Sequence, residues 1–135
     1  MVTTYGRNIF MDHIFHTAAE QELPASYYIG LSTTTPTESG TNFTEPPEES
    51  GYVRIILTGL TNSLNGAIQN GTVLSFPEST GGQGTITHWG IFDSSENGDG
   101  NLILFGELQN SRIVEAETTL SFKAGYMKLE LINHQ

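Results

Sequence analysis

The period of the apolar residues changes once along this chain, at Leu23-Pro24. Before that point Phe10, Met11, Ile14, Phe15 and Ala18 recur at helical spacing and form one stripe, with Arg7, Asn8, Asp12, Glu20 and Gln21 on the opposite side. Thr3 or Thr4 is placed to cap the start, and the residue before a proline is pushed out of the helical region. The spacing therefore predicts one helix over residues 5–20, with Phe10, Ile14 and Phe15 packed on a sheet. After Pro24 the period is two.

The first run after the change, residues 26–32, places Tyr27, Ile29 and Leu31 on one face of a strand. Further short runs follow at 52–58, at 72–76 before Pro77, at 85–93, at 101–108, at 118–123 and at 126–132. In the last of these, Met127, Leu129 and Leu131 alternate with Lys128 and Glu130, the pattern of a half-buried strand. Turn residues separate the runs: Gly81 to Gly84 form one turn, and Asp93 to Gly100 contain Asn-Gly and Asp-Gly steps that fit a hairpin loop. One early helix followed by closely spaced strands predicts a mainly β fold, an antiparallel β-sandwich or jelly-roll-like domain. With 135 residues, no repeat and no linker, the expectation is one domain over residues 1–135.

Residues 33–51 interrupt the strands. They are rich in Thr, Ser, Pro and Glu, and Phe43 is their only large apolar side chain. So little apolar surface is not expected to offset the entropy of ordering the segment, and a loop this long is usually functional or mobile. The expectation is an arm ordered by neighbouring subunits, with the acids Glu45, Glu48 and Glu49 meeting basic groups on a partner.

Charge narrows the function. Fifteen acidic side chains face five basic ones, a formal net charge of −10. Arg7, Arg54, Arg112, Lys123 and Lys128 are scattered singly, so no basic stripe exists to neutralise phosphates or anionic lipid. No apolar run approaches the roughly 20 residues that span a bilayer, and the N-terminus lacks the order of a signal peptide. Neither nucleic acid nor membrane is an expected partner. The absence of cysteine excludes disulfides and thiolate metal sites.

No constellation of residues assembles a reaction centre. His13 and His16 lie three apart without a third ligand, and no His-Glu-x-x-His pattern occurs. His88 has no nucleophile or orienting carboxylate in a recognisable motif, and reads as a structural imidazole bonded to backbone. Asp93, Ser95, Asn97 and Gly98 imitate the start of a calcium loop, but its twelfth position is Leu104 in place of the bidentate Glu. Asn42-Phe43-Thr44 and Asn70-Gly71-Thr72 match the glycosylation acceptor, a pattern frequent by chance. Tyr5, Tyr27, Tyr28, Tyr52, Trp89 and Tyr126 are able to stack on sugars, although core packing explains most such side chains. No cofactor, metal or catalytic residue is expected.

Several short motifs occur in a distinctive order. Tyr28 to Pro36 is followed by the Gly-Tyr-x-Arg step at Gly51 to Arg54, and by an Asn-Gly-x-x-Leu-x-Phe-Pro segment at Asn70 to Pro77. Thr87 to Asp93, the Leu102 to Leu108 strand and the Phe122-Lys123-Ala124-Gly125 step complete the series. This order resembles a family of small structural proteins encoded in the morphogenesis regions of tailed phages, called tail-fibre-like or head decoration proteins. The resemblance spans about residues 5–132, and departs at Trp89 and in the acidity of the 33–51 loop. It implies a non-enzymatic virion protein, made in the host cytoplasm, that binds other virion subunits. The expected role is a capsid decoration or cement protein on the head lattice, homo-oligomeric and best suited to a trimer, in contact with the major capsid protein. The alternative is a tail or tail-fibre component that contacts the host surface and binds carbohydrate. Phe43, Glu45, Glu48, Glu49 and Arg54 are the expected assembly contacts, and Arg54 is also suited to pairing within the fold. Gly30, Gly90 and Gly106, lying within strands, are expected at bulges or close approaches.

Overall fold

The computed structural model describes residues 1–17 and 23–130. One helix, α1 (Thr4–Phe15), precedes the strands β1 (Tyr28–Ser32), β2 (Ile55–Ile56), β3 (Ala67–Gln69), β4 (Leu74–Ser75), β5 (Gly84–Phe92), β6 (Leu102–Val114), β7 (Ser121–Phe122) and β8 (Lys128–Glu130). The protein is mainly β with a single N-terminal helix, as the change of period implies. All strand pairs are antiparallel. A four-stranded sheet runs in the order β2-β1-β5-β6, and β3-β8 and β4-β7 form two short two-stranded sheets.

The centre of the four-stranded sheet is β1 against β5, with Gly30 opposite Gly90 and Leu31 opposite Trp89. Residues 29–32 are buried in succession, not in alternation, because the sheet is covered on both faces. On one face Ile29, Leu31, Ile86, Ile91, Ile103 and Met127 join the main core. A second, smaller cluster unites Phe92, Leu102 and Phe105 with Phe43 from the long loop.

The helix is shorter than its apolar spacing predicts, and it turns a different face to the sheet. Its helical geometry stops at Phe15, and His16 adopts a left-handed conformation (φ 53°) with its N–H bonded to the Asp12 carbonyl. Residues 18–20 of the expected helix lie outside the described residues. Docking occurs through the first turns. The Thr3 hydroxyl accepts from Gly6 N–H at 3.0 Å as the N-cap and meets the Ile103 carbonyl at 2.8 Å, fixing the helix start on β6. Gly6 is required there, since a Cβ would stand 2.3 Å from the Ile103 carbonyl oxygen. This contact buries Gly6 and Ile9, leaves Phe10 half-buried against the core, and leaves Ile14 and Phe15 exposed at 60% and 63%. The expected docking of Ile14 and Phe15 is thus corrected: the anchor at Thr3 and Gly6, not the apolar stripe, sets the rotation of the helix.

The Asn-Gly-x-x-Leu-x-Phe-Pro segment is explained by Asn70, which is fully buried. Its amide donates to the carbonyls of Thr72 (2.9 Å) and Lys123 (2.9 Å), and its side-chain oxygen accepts from Met127 N–H at 2.9 Å. It thereby ties the turn after β3 to the turn between β7 and β8, and it is unavailable as a glycan acceptor.

Replacing Ile9 with Ala should cost about 2–5 kcal/mol. Replacing Phe15 with Ala should change stability by no more than about 0.5 kcal/mol. Urea unfolding of the two variants measures both, and equal losses would mean that the helix docks by the face its apolar stripe suggests.

Candidate functional site

Most of the residues singled out by sequence as contacts converge on one place inside the chain. The loop of residues 33–51 leaves β1 and folds back on itself through its threonines. Thr33 N–H donates to the Thr44 carbonyl at 3.0 Å, the Thr34 hydroxyl to the Asn42 carbonyl at 2.6 Å, and Thr37 N–H to the Thr41 carbonyl at 3.0 Å. Phe43 then meets the Phe92 ring edge-on, with centroids 4.9 Å apart. These contacts, all within the chain, give the loop a defined conformation. The expectation of an arm ordered mainly by neighbouring subunits is corrected to a loop held by its own chain, because its hydroxyls supply the hydrogen bonds that its few apolar groups cannot replace.

Glu45 and Arg54 lie at the centre. The Arg54 Nε donates to Glu45 Oε1 at 2.7 Å and its Nη2 to Oε2 at 3.0 Å, a two-pronged pairing that matches the planar shapes of both groups. Its Nη1 donates to the carbonyls of Ser94 (2.7 Å) and Asp99 (2.8 Å) in the hairpin loop between β5 and β6. The guanidinium carbon sits 3.7 Å from the centroid of the Phe92 ring. Glu45 accepts two further bonds, from the Tyr52 hydroxyl at 2.6 Å and from Gly98 N–H at 2.7 Å. Tyr52 in turn accepts from Leu31 N–H at 3.0 Å, which ties the arrangement to β1.

The Gly-Tyr-x-Arg step now has a physical meaning. Gly51 takes φ 84° after a short 3-10 turn (Glu48–Ser50), and so turns Tyr52 and Arg54 inward. The close approaches expected at the strand glycines occur, and side chains make them. A Cβ at Gly30 would come within 2.9 Å of the Glu45 carboxylate, at Gly90 within 2.5 Å of Phe43, and at Gly106 within 2.4 Å of Trp89. Sequence reasoning missed Ser94, Gly98 and Asp99, because backbone groups of a hairpin tip leave no residue-type signal.

Burial pushes the Glu45 carboxyl up, but the hydrogen bonds from Arg54, Tyr52 and Gly98 and the guanidinium charge outweigh it and hold it below its ordinary value. Burial, reinforced by the Glu45 charge, raises the Tyr52 hydroxyl. The pair holds three chain segments together, and with Phe43, Phe92 and Asp99 it borders a cavity of about 170 Å³. Glu48 and Glu49 lie outside it and are exposed.

The other candidates are also placed. The His88 Nδ1 meets the Thr87 hydroxyl at 2.8 Å, in place of the expected backbone partner, and burial lowers its pKa against the opposing charge of Glu107. Asp93 closes its own hairpin loop by accepting from Asn101 N–H at 2.7 Å and from the Asn101 amide at 3.1 Å. His13 stays in the helix while His16 leaves it. Among the described residues no group of three His, Asp or Glu side chains lies close enough to hold a metal ion, and no helix is long and apolar enough to cross a membrane. The end of α1 borders an apolar groove of about 400 Å³, lined by Phe10, Ile14, Leu23, Ile68 and Leu129 among others.

Comparison with known families gives the class first: the chain is a virion protein of tailed phages. Its particular family is Gp80, described as podophage GP4 fiber I protein gp80, whose model matches residues 1–130, and the chain belongs to that family. No curated protein matches the chain. The family supports a structural, non-enzymatic role in the virion, in association with other virion components.

Removing one partner of a buried pair leaves the other charge unpaired, at a cost of about 3–5 kcal/mol. Arg54→Ala should lose stability on that scale. The Glu45 pKa is lower folded than unfolded, so its contribution is complete above the ordinary carboxylate value of 4.5 and is lost as pH falls through the folded value. Denaturation midpoints measured from pH 7 to pH 3 should show this loss in the parent and a shallower one in Glu45→Gln. Parallel profiles would mean that Glu45 is not the group responsible.

Proposed function

We propose that this protein is a fibre component of a tailed-phage virion, acting as one domain in a homo-oligomer, with a trimer as the favoured state. The observation that carries the reading is the family match over residues 1–130, whose description names a fibre protein. It favours the tail-fibre alternative over the capsid decoration expected first from the sequence. The enclosed Arg54–Glu45 pair agrees with a rigid structural role, since its charges are spent within the chain.

The assembly contact is correspondingly reassigned in part. Phe43, Glu45 and Arg54 act indirectly, by fixing the 33–51 loop, while Glu48 and Glu49 on its exposed turn are the acids free to meet basic groups of a neighbouring virion subunit. Exposed pairs of that kind weaken with salt.

Immunogold labelling of purified virions with antibody to this protein should place gold at the tail in a few copies per particle. Gold over the head in hundreds of copies would overturn the fibre reading in favour of capsid decoration. Deleting the loop is a poor test of contact, because it removes the partner of Arg54. The double change Glu48→Lys, Glu49→Lys is better. It should lower occupancy in virions lacking the parent protein while leaving the melting temperature unchanged, and undiminished occupancy would exclude these acids from the contact.

A further inference from the structure

We infer that Asn65 is a site of spontaneous deamidation, singled out from three Asn-Gly steps by hydrogen bonds that the fold leaves unmade there. The steps are Asn65-Gly66, Asn70-Gly71 and Asn97-Gly98. The reaction needs only the two residues and water. The glycine backbone nitrogen attacks the asparagine Cγ. A nitrogen–carbon bond forms, the nitrogen gives up its proton, and the side-chain amide leaves as ammonia. Water then opens the resulting cyclic imide at one of its two carbonyls, giving aspartate or isoaspartate. Glycine permits the first step because no Cβ crowds the approach and its backbone turns freely.

The three steps are alike in local sequence, and the fold separates them. Asn70 is fully buried, its amide donates to main-chain carbonyls, and Gly71 N–H donates to the Gly59 carbonyl at 2.7 Å. Asn97 is half-buried, and Gly98 N–H is spent on the Glu45 carboxylate at 2.7 Å. A negative charge at that place also opposes loss of the proton. Asn65 and Gly66 are both exposed. Among the described residues, neither the Asn65 amide nor the Gly66 N–H has a hydrogen-bond partner.

Asn65 (φ 54°) and Gly66 (φ 77°) are the two central residues of a tight turn, and ring closure takes Asn65 out of its left-handed conformation. The turn must therefore open first, and little holds it. Leu64 and Ala67 exchange two backbone hydrogen bonds across it, at 2.9 and 3.0 Å, and β3 pairs with β8 behind it over three residues. A two-stranded sheet of that length is marginal by itself, and such elements open far more often than a core strand. Isoaspartate routes the main chain through Cγ and adds one atom to the turn, so that both bonds no longer close over it. Gly66 and Ile68 line the apolar groove beside α1, and that wall moves with the turn.

The intact protein would be incubated at mildly alkaline pH, with a parallel sample unfolded in urea. Samples taken at intervals would be digested, and each exchange of an amide NH2 for OH located by mass and fragmentation. In the folded protein Asn65 should convert about tenfold or more faster than Asn70 and Asn97, which corresponds to about 1.4 kcal/mol. In urea the three rates should converge. Asn65→Gly keeps a residue suited to positive φ, so this variant should melt as the parent does and lose the fast signal. Hydrogen exchange at the Leu64 and Ala67 amides should be faster in the isolated isoaspartate form. The inference is overturned if the three steps react equally in the folded protein, if Asn65 reacts only in urea, or if its lead persists unchanged in urea. It is equally overturned if the fast signal survives in Asn65→Gly. Unaltered hydrogen exchange in the isoaspartate form would sink the claim that the product loosens the turn.

Discussion

Arg54 is withdrawn from solvent to 1% side-chain exposure, and its guanidinium is met from several directions at once. Of its five N–H donors, four are used, on the two oxygens of Glu45 and on the carbonyls of Ser94 and Asp99, while one face rests on Phe92. Burying two charges is costly, and their attraction offsets that cost only where geometry is good and the remaining donors and acceptors are satisfied. Both conditions are met here. The pair binds a long loop and a hairpin tip, neither with much apolar surface of its own, to the Tyr52 segment, which is itself packed in the core.

The same economy of apolar material appears across the four-stranded sheet. Small residues at Gly30, Gly90 and Gly106 leave gaps that Glu45, Phe43 and Trp89 fill from other segments. The sheet is therefore packed both by its own side chains, such as Ile29, Leu31 and Ile91, and by side chains that reach over its glycines. The helix follows this pattern too. Gly6 brings its first turn against Ile103, and the apolar residues of its last turn are left at the surface. A virion subunit of this kind gains rigidity from a few polar and close-packed anchors, and its remaining surface stays available for contact with other components.

The Glu48–Ser50 turn lies in the same loop as Glu45 and leads through Gly51 into Tyr52 and Arg54. Its two acids are nevertheless exposed and make no ion pair among the described residues. A change of either side chain therefore alters the surface charge of the loop without touching the hydrogen bonds that hold it.

The sequence by itself determined the fold class, through the single change of period at Pro24. It also determined the positions of β1, β5 and the hairpin between β5 and β6, because alternating apolar residues and Asn-Gly or Asp-Gly turns are local signals. The series of short motifs that matches a phage virion family was legible in the same way. Other features depended on contacts between residues far apart in the chain. Strand β3 and the end of β6 carry no alternation and exist because β8 and β5 pair with them. The rotation of the helix was decided by Thr3 and Gly6 against Ile103, which outweighed the apolar stripe. That Glu45 turns inward while Glu48 and Glu49 stay outside was decided by the tertiary structure alone. All three are equivalent in composition, and only the folded chain brings Arg54, Tyr52 and Gly98 within hydrogen-bonding distance of one of them.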